Sequence, residues 1–242
     1  SRSMISSQMP SLAMIELIFS HTLPISDRFM SKKDIAPQRL TREIVLRTAL
    51  DMLNEEGIDS ITTRKLAQRL GIKSPTLYWH FKNKSLLMEA MAETIINEHH
   101  LVSLPIDGMT WQDWLLANSV SFRRALLAYR DGARLHARTS PSQGHFNTIE
   151  AQVALLSHAG FSPVEAVALL MTLGRFIVGW VLEEQQEEIR SDPPFEADPT
   201  IYPLMLQGVN TLQNMNADDI FENGIRMVII GAERQLDIKM QT

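Results

Sequence analysis

The chain has 242 residues, 45% of them apolar and 21% charged, enough for one large domain or two small ones with real cores. It has no cysteine, which excludes a disulfide framework, a thiolate metal site and a cysteine nucleophile, and suits a reducing cytoplasm. The net charge of −5 is unevenly spread: residues 32–88 carry eleven Lys/Arg against six Asp/Glu, and residues 89–242 carry ten against twenty, a basic module on an acidic body as expected where one end touches phosphate.

Residues 1–38 mix Ser, Met and Pro without a sustained period and read as a tail, disordered or in part an expression remnant, with Met30 as an alternative start. The apolar stretch Leu12–Phe19 is broken by Glu16, has only Arg2 as a basic residue before it, and is followed by no small-residue cleavage site, so it reads as neither signal peptide nor anchor. No segment is expected to reach the roughly 18 apolar residues of a membrane span.

Helical periodicity begins at Leu40. Thr41 precedes Ile44, Val45, Thr48, Ala49, Met52 and Leu53, and the run stops at Gly57. Thr62 or Thr63 caps a second helix that passes through Leu66 and Leu70 to Gly71. Ser74-Pro75 opens a third, with Ser at the N-cap and Pro at the first helical position, where its missing N–H has no partner in any case. Asn83 caps a longer helix to about His100. Thr110 starts another through Trp111, Leu115 and Phe122, and further runs cover 146–158, 163–182, 203–214 and 218–236. Residues 191–200, with three prolines and three acids, read as a solvated loop. Strand-like alternation and internal repeats are absent. The predicted fold is therefore all-α: a three-helix helix-turn-helix domain over 39–84 and a helical ligand-binding and dimerisation domain over 85–242.

Two short helices joined at a glycine turn form a helix-turn-helix, whose second helix can enter the major groove of DNA. Here that helix is Ser74–Phe81. Leu77 must face inward, which leaves Thr76, Tyr78, Trp79 and His80 to meet bases and Lys82 and Lys84 to meet phosphates. Arg64, at the start of the preceding helix, has the fork to read a guanine. The same spacing suits core aromatics of an ordinary bundle, but three consecutive bulky residues, Tyr78 to His80, cannot all face one core.

The segments Thr62-Thr63-Arg64-Lys65-Leu66-Ala67-Gln68-Arg69-Leu70-Gly71, Pro75-Thr76-Leu77-Tyr78-Trp79-His80 and Lys82-Asn83-Lys84 closely resemble the tetracycline repressor (TetR) family, and the likeness covers roughly residues 40–237. The resemblance implies operator contacts by Thr63, Arg64, Ser74, Pro75, Thr76, Tyr78, Trp79, His80 and Lys84. Drug-type repressors usually carry a glutamine where Ser74 stands, so the operator is expected to differ.

For the second domain the residues alone offer polar groups scattered in apolar runs, each more often a satisfied core group than a ligand. The resemblance implies a tetracycline-class ligand bound as a Mg2+ chelate. His136 ligates the ion, Thr139 and the partner subunit's Glu183 hold its waters, and His100, Asn118, Phe122, Gln152 and Pro141 surround the drug. Such a set is weak for magnesium alone and adequate once a chelating ligand adds oxygens. Drug-type repressors often carry Arg and His where Ser140 and Arg175 stand here, which bears on affinity and response.

The apolar faces of 163–182 (Val167, Leu170, Phe176, Ile177) and 218–236 (Phe221, Ile225, Val228, Ile229) suit either a four-helix dimer bundle or a monomeric core. Reading two half-sites favours the homodimer. The function expected is a cytoplasmic repressor of a drug-efflux gene that binds double-stranded operator DNA and is released by the chelate. The alternative is a repressor of the same family answering another hydrophobic molecule. No nucleophile with a neighbouring base stands out, which argues against an enzyme; a helical adaptor without DNA affinity is a third reading.

Overall fold

The computed structural model describes residues 40–140, 143–187 and 197–241, so the tail, Pro141 and most of the 191–200 loop lie outside the described residues. Helix α1 (Arg42–Glu56) starts where the Thr41 hydroxyl accepts from the Ile44 amide at 3.2 Å, one of the amides a helix start leaves without an internal partner. It stops at Gly57, whose φ of +82° is cheap only for glycine. A 3-10 turn (Ile58–Ser60) leads to α2 (Thr63–Arg69), and Thr62 is the residue that caps it, accepting from the Lys65 amide.

Helix α3 has only four residues, Ser74–Leu77. Ser74 is not its N-cap: Lys73 holds that position, and no side chain caps the helix. An ammonium has only donors to offer, so it cannot serve the free amides, and Pro75 in the first turn removes one of them. Asn83 caps α4 (Lys84–His99) through the Leu86 amide at 2.9 Å, as expected.

Thr110 opens α5 (Trp111–Leu127), accepting from the Asp113 amide and donating to its carboxylate. Helix α6 (Gly132–Ala137), unexpected from the sequence, is too short to display a period. After a 3-10 turn (Gln143–His145) come α7 (Phe146–His158), α8 (Pro163–Glu187), α9 (Pro203–Gln213) and α10 (Ala217–Gln241). Helices α8 and α10 outrun their predicted ends because the apolar period stops before the run of good helix formers does.

One apolar cluster joins Val45, Leu53, Leu66 and Leu77 of α1–α3 to Leu87, Met91 and Ile95 of α4 and to Leu135 of α6, so packing is continuous across residue 84. In the body, Trp114 and Leu115 of α5 are buried, as are Ile177 and Val181 of α8 and Phe221 and Ile225 of α10. The buried Arg123 guanidinium ties these three helices. It pairs with Glu184 and Asp218 at 2.5 Å each and lies 5.0 Å from the centre of the Phe221 ring.

The structure divides the two apolar faces differently from the sequence reading. Ile177, Phe221, Ile225 and Ile229 point into their own core, and Phe176 stacks on Trp180. The solvent-facing apolar surface keeps Val167 of the expected face and adds Val164 and Met171 of α8 with Met227, Ile230 and Ile238 of α10. Periodicity reveals that a face is apolar, but where the apolar stripe is wide it does not say which part of it turns inward. The expectation about membrane spans also needs correction: Pro163–Gln186 is long and apolar enough to cross a membrane by length and composition, with a mean hydropathy of 1.7. Counting uninterrupted apolar runs missed it, because Glu165 and Arg175 interrupt the run without lowering the average enough.

Candidate functional site

Two surfaces collect the residues singled out in the sequence. On the head, α2 packs against α3. Leu77 is buried beneath them, and Trp79 is 88% exposed and Tyr78 50%. Arg64, Pro75 and Lys84 are exposed as well, whereas Thr63, Ser74, Thr76 and His80 are half-buried. A tryptophan that exposed buries nothing within its own chain, so packing does not explain its presence. Lys65 and Arg69 are tied to Glu56 and Glu55, whereas Arg64 and Lys82 make no ion pair among the described residues.

The second surface is a cavity of about 330 Å3 walled by α4–α8. His100, Asn118, Phe122, His136, Thr139 and Gln152 all line it. Glu183 does not: it lies exposed on α8, outside the cavity of its own chain. Ser140 lines the cavity and Arg175 is exposed on α8. His145, not singled out in the sequence, is a third histidine on the wall. So are Glu89, Glu93 and Asn97, whose spacing of four along α4 leads toward His100 and could have marked them.

The polar groups are positioned by the backbone. The Asn118 Nδ2 donates to the Val102 carbonyl at 2.9 Å and lies 3.3 Å from His100 Nε2. A carbonyl only accepts, so that atom is the amide nitrogen, and its second hydrogen serves a His100 Nε2 without a proton. The proton is then on Nδ1, 2.9 Å from the Ser121 hydroxyl. Gln152 is held by the Ser103 carbonyl at 2.7 Å. The Phe122 ring lies 5.5 Å from His100 and edge-on, 5.1 Å, to His136, so it packs against both imidazoles.

Burial first, then the neighbouring His145 and His136, pushes His100 down to about 4, and burial likewise lowers His136. Both are neutral at pH 7, as a metal or drug acceptor must be. An unfolded histidine titrates near 6.5, so between there and about 4 the unfolded chain binds the extra proton. The stability this provides is complete above pH 6.5 and is lost as pH falls through the folded value. Between pH 7 and 5, His100 alone is expected to cost about 2 kcal/mol. Urea unfolding at the two pH values should show a smaller drop in His100→Gln than in the parent; equal drops contradict the assignment.

A joint connects cavity and head. Asp131, at φ 58°, precedes α6, and its carboxylate accepts from the Ile58 amide at 2.8 Å. Arg134 bridges Asp131 and Asp59 at 3.0 and 2.9 Å, and the Arg130 amide donates to Asn54. His136 therefore rides on a helix fastened to the end of α1. A second tie, Arg47 of α1 on both carboxylate oxygens of Glu98, holds α4 two residues before His100.

Residues 45–91 match the family of bacterial regulatory proteins called tetR, and residues 104–236 match the tetracyclin repressor-like C-terminal domain. The tetracycline repressor protein class D of Escherichia coli is 42% identical over 204 residues, 84% of this chain and 94% of the relative. The class A repressor from transposon 1721 is 43% identical over 205 residues, 83% and 94% of the two chains. Among solved structures, a point variant of TetR from Acinetobacter baumannii AYE in complex with minocycline is 40% identical, with a TM-score of 0.69 over 81% of this chain and 95% of that one. TetR class A in complex with 5a,6-anhydrotetracycline and magnesium is 42% identical, with a TM-score of 0.63 over 79% and 96%. The exposed aromatic head, the histidine-lined cavity and these matches over both parts of the described chain agree, and the protein belongs to the TetR family of bacterial transcriptional regulators, which are repressors and not enzymes.

Proposed function

We propose that this protein is a tetracycline-responsive repressor, a homodimer that holds operator DNA until a tetracycline–Mg2+ chelate enters the cavity. The observation that carries the reading is that six of the seven described candidates for the drug and ion site line one cavity, all but Glu183, in a chain about 42% identical to tetracycline repressors over most of its length. Residues 39–84 act as the reading head, with Arg64, Thr63, Ser74, Pro75, Thr76, Tyr78, Trp79, His80 and Lys84 at the DNA, and residues 85–242 as the effector and dimer domain. The function is exercised in the cytoplasm, where the repressor controls a drug-efflux gene.

The donor set fits a divalent cation that arrives with its own oxygens. Among the described residues no group of three or more His, Cys, Asp or Glu converges on a metal position, so the ligand must complete the shell. His136 is the direct ligand, and its ring makes no hydrogen bond among the described residues, leaving a nitrogen for the ion. Thr139 and the partner's Glu183 hold the ion's waters; the exposure of Glu183 outside its own cavity supports a role in trans. When bound, the ion supplies a positive charge that draws the drug's chelating oxygens to His136. His100, Asn118 and Gln152 receive the polar edge and Phe122 the rings; Pro141, the remaining candidate, lies outside the described residues.

The second copy covers the apolar surface of α8 and α10. Two heads then reach half-sites about 34–36 Å apart. Ligand that pulls α6 and the end of α4 moves the joint at Asp131 and the Arg47–Glu98 tie, and the head spacing changes. To carry the population from 1:99 to 99:1, the chelate must prefer the released state by about 10⁴-fold. Fluorescence anisotropy with a labelled operator duplex is expected to show release on adding tetracycline with Mg2+; undiminished binding at saturating drug contradicts the reading. A repressor induced by a different hydrophobic molecule is the second reading, favoured if tetracycline does not bind.

A further inference from the structure

The turn from α5 to α6 is fastened to the head: the Arg130 amide donates to Asn54 Oδ1 at 2.9 Å, and the Asp131 carboxylate accepts from the Ile58 amide at 2.8 Å. Asp131 occupies the N-cap position of α6, but its carboxylate caps no amide of that helix; it serves the head and Arg134 instead. The opening amides of α6 and the closing carbonyls of α5 therefore need partners from elsewhere. Gln185 of α8 supplies them. Its Nε2 donates to the Tyr129 carbonyl at 2.9 Å and to the Leu126 carbonyl at 3.3 Å, and its Oε1 accepts from the amide of buried Ala133 at 3.4 Å. A carboxamide offers two N–H donors beside a carbonyl acceptor, so this one side chain closes one helix and opens the next.

Gln185 stands two residues after Glu183, near the end of α8. Three consecutive side chains divide that end between them: Glu183 is exposed, Glu184 pairs with the buried Arg123 of α5, and Gln185 holds the α5–α6 turn. Residues of one helical turn share the hydrogen-bonded backbone, so a displacement of Glu183 is also a displacement of Gln185. We infer that Gln185 is a positioning residue that carries ligand binding across the dimer. An ion in one cavity, held through water by the partner subunit's Glu183, displaces the α8 end that bears this glutamate; the glutamine on the same end then moves the α5–α6 turn and the head fastened to it. One bound chelate thus acts on both heads, on its own through His136 and α6 and on the other through Gln185. This rests on the reading of Glu183 as acting in trans on a chelate.

The test uses mixed dimers of the full chain, purified through two different tags, in which one subunit carries His136→Ala so that the chelate enters only the other cavity. Gln185→Met is placed either in the drug-binding subunit or in the His136→Ala subunit; Gln185→Asn, one methylene too short to reach all three partners, is the second variant if Gln185→Met does not fold. The two arrangements contain the same substitutions, so loss of a helix cap alone affects both alike. Operator affinity is measured by fluorescence anisotropy without drug and at saturating tetracycline and Mg2+. With Gln185→Met in the His136→Ala subunit, the drug-saturated dimer is expected to hold operator about tenfold tighter, relative to its drug-free affinity, than with Gln185→Met in the drug-binding subunit. Equal changes in the two arrangements, with the parent dimer released by drug, overturn the inference and leave the tetracycline reading standing. The same holds if a dimer with one working cavity and both glutamines stays on operator at saturating drug while the parent is released. If the chelate neither binds the parent nor releases it, both fall.

Discussion

His136→Ala is expected to weaken binding of the tetracycline–Mg2+ chelate by about two orders of magnitude, close to 3 kcal/mol, while operator affinity without drug stays at the parent level. The ring makes no internal hydrogen bond among the described residues, so its removal orphans no protein group. It borders an open cavity, not a packed core, so the variant should fold with little loss of stability. The effect should appear as a shift of the drug concentration that releases a labelled operator, measured beside a fluorescence titration of the drug. Unchanged drug response in this variant removes His136 from the site and favours a different effector.

Gly132→Ala is expected to lower stability by about 3 kcal/mol, or roughly 6–12 °C in midpoint for a chain of this size. A Cβ at Gly132 meets the Leu126 carbonyl oxygen at 2.1 Å, and that oxygen is backbone at the end of α5 with no rotamer to escape into. The Gln185 side chain clamps the same turn, bonding the Leu126 and Tyr129 carbonyls and the Ala133 amide. To make room α6 must shift, and α6 carries both His136 and the Arg134–Asp59 contact to the head. The variant should therefore also bind the chelate more weakly and release DNA less completely per bound drug. Differential scanning calorimetry with a drug-dose release curve checks both halves. An unaltered midpoint means that α6 is not pinned against α5.

The tie between Asp131 and the Ile58 amide explains why Gly57 precedes that amide. A Cβ at Gly57 lies 2.9 Å from the same Asp131 carboxylate oxygen that accepts the bond. The sequence marks Gly57 as a helix stop; its second role, admitting a carboxylate from residue 131, is visible only once the joint is formed. Asp131 itself pays for a left-handed backbone at φ 58°, a conformation that aspartate tolerates better than most residues.

Local chemistry was enough to locate the helices of the head. Thr41, Thr62 and Asn83 cap their own chains within three residues, and Gly57 and Gly71 take positive φ where the chain must turn. Such interactions span a few residues, so the sequence displays them directly. The likeness to TetR proteins carried the candidate drug-site residues, and the fold brought His100, Asn118, Phe122, His136, Thr139 and Gln152 to one cavity. Three things required the tertiary structure. Six-residue α6 owes its existence to packing on α5 and α8, since so short a helix is not stable alone. The inward faces of α8 and α10 depend on which neighbours close over them, as Ile177 and Phe221 show against Met171 and Met227. His145 joins the cavity wall only through folding, since nothing in its local sequence marks it. Contacts between segments far apart in sequence leave no periodic trace in either segment, and burial on an amphipathic helix is a property of the pair that packs.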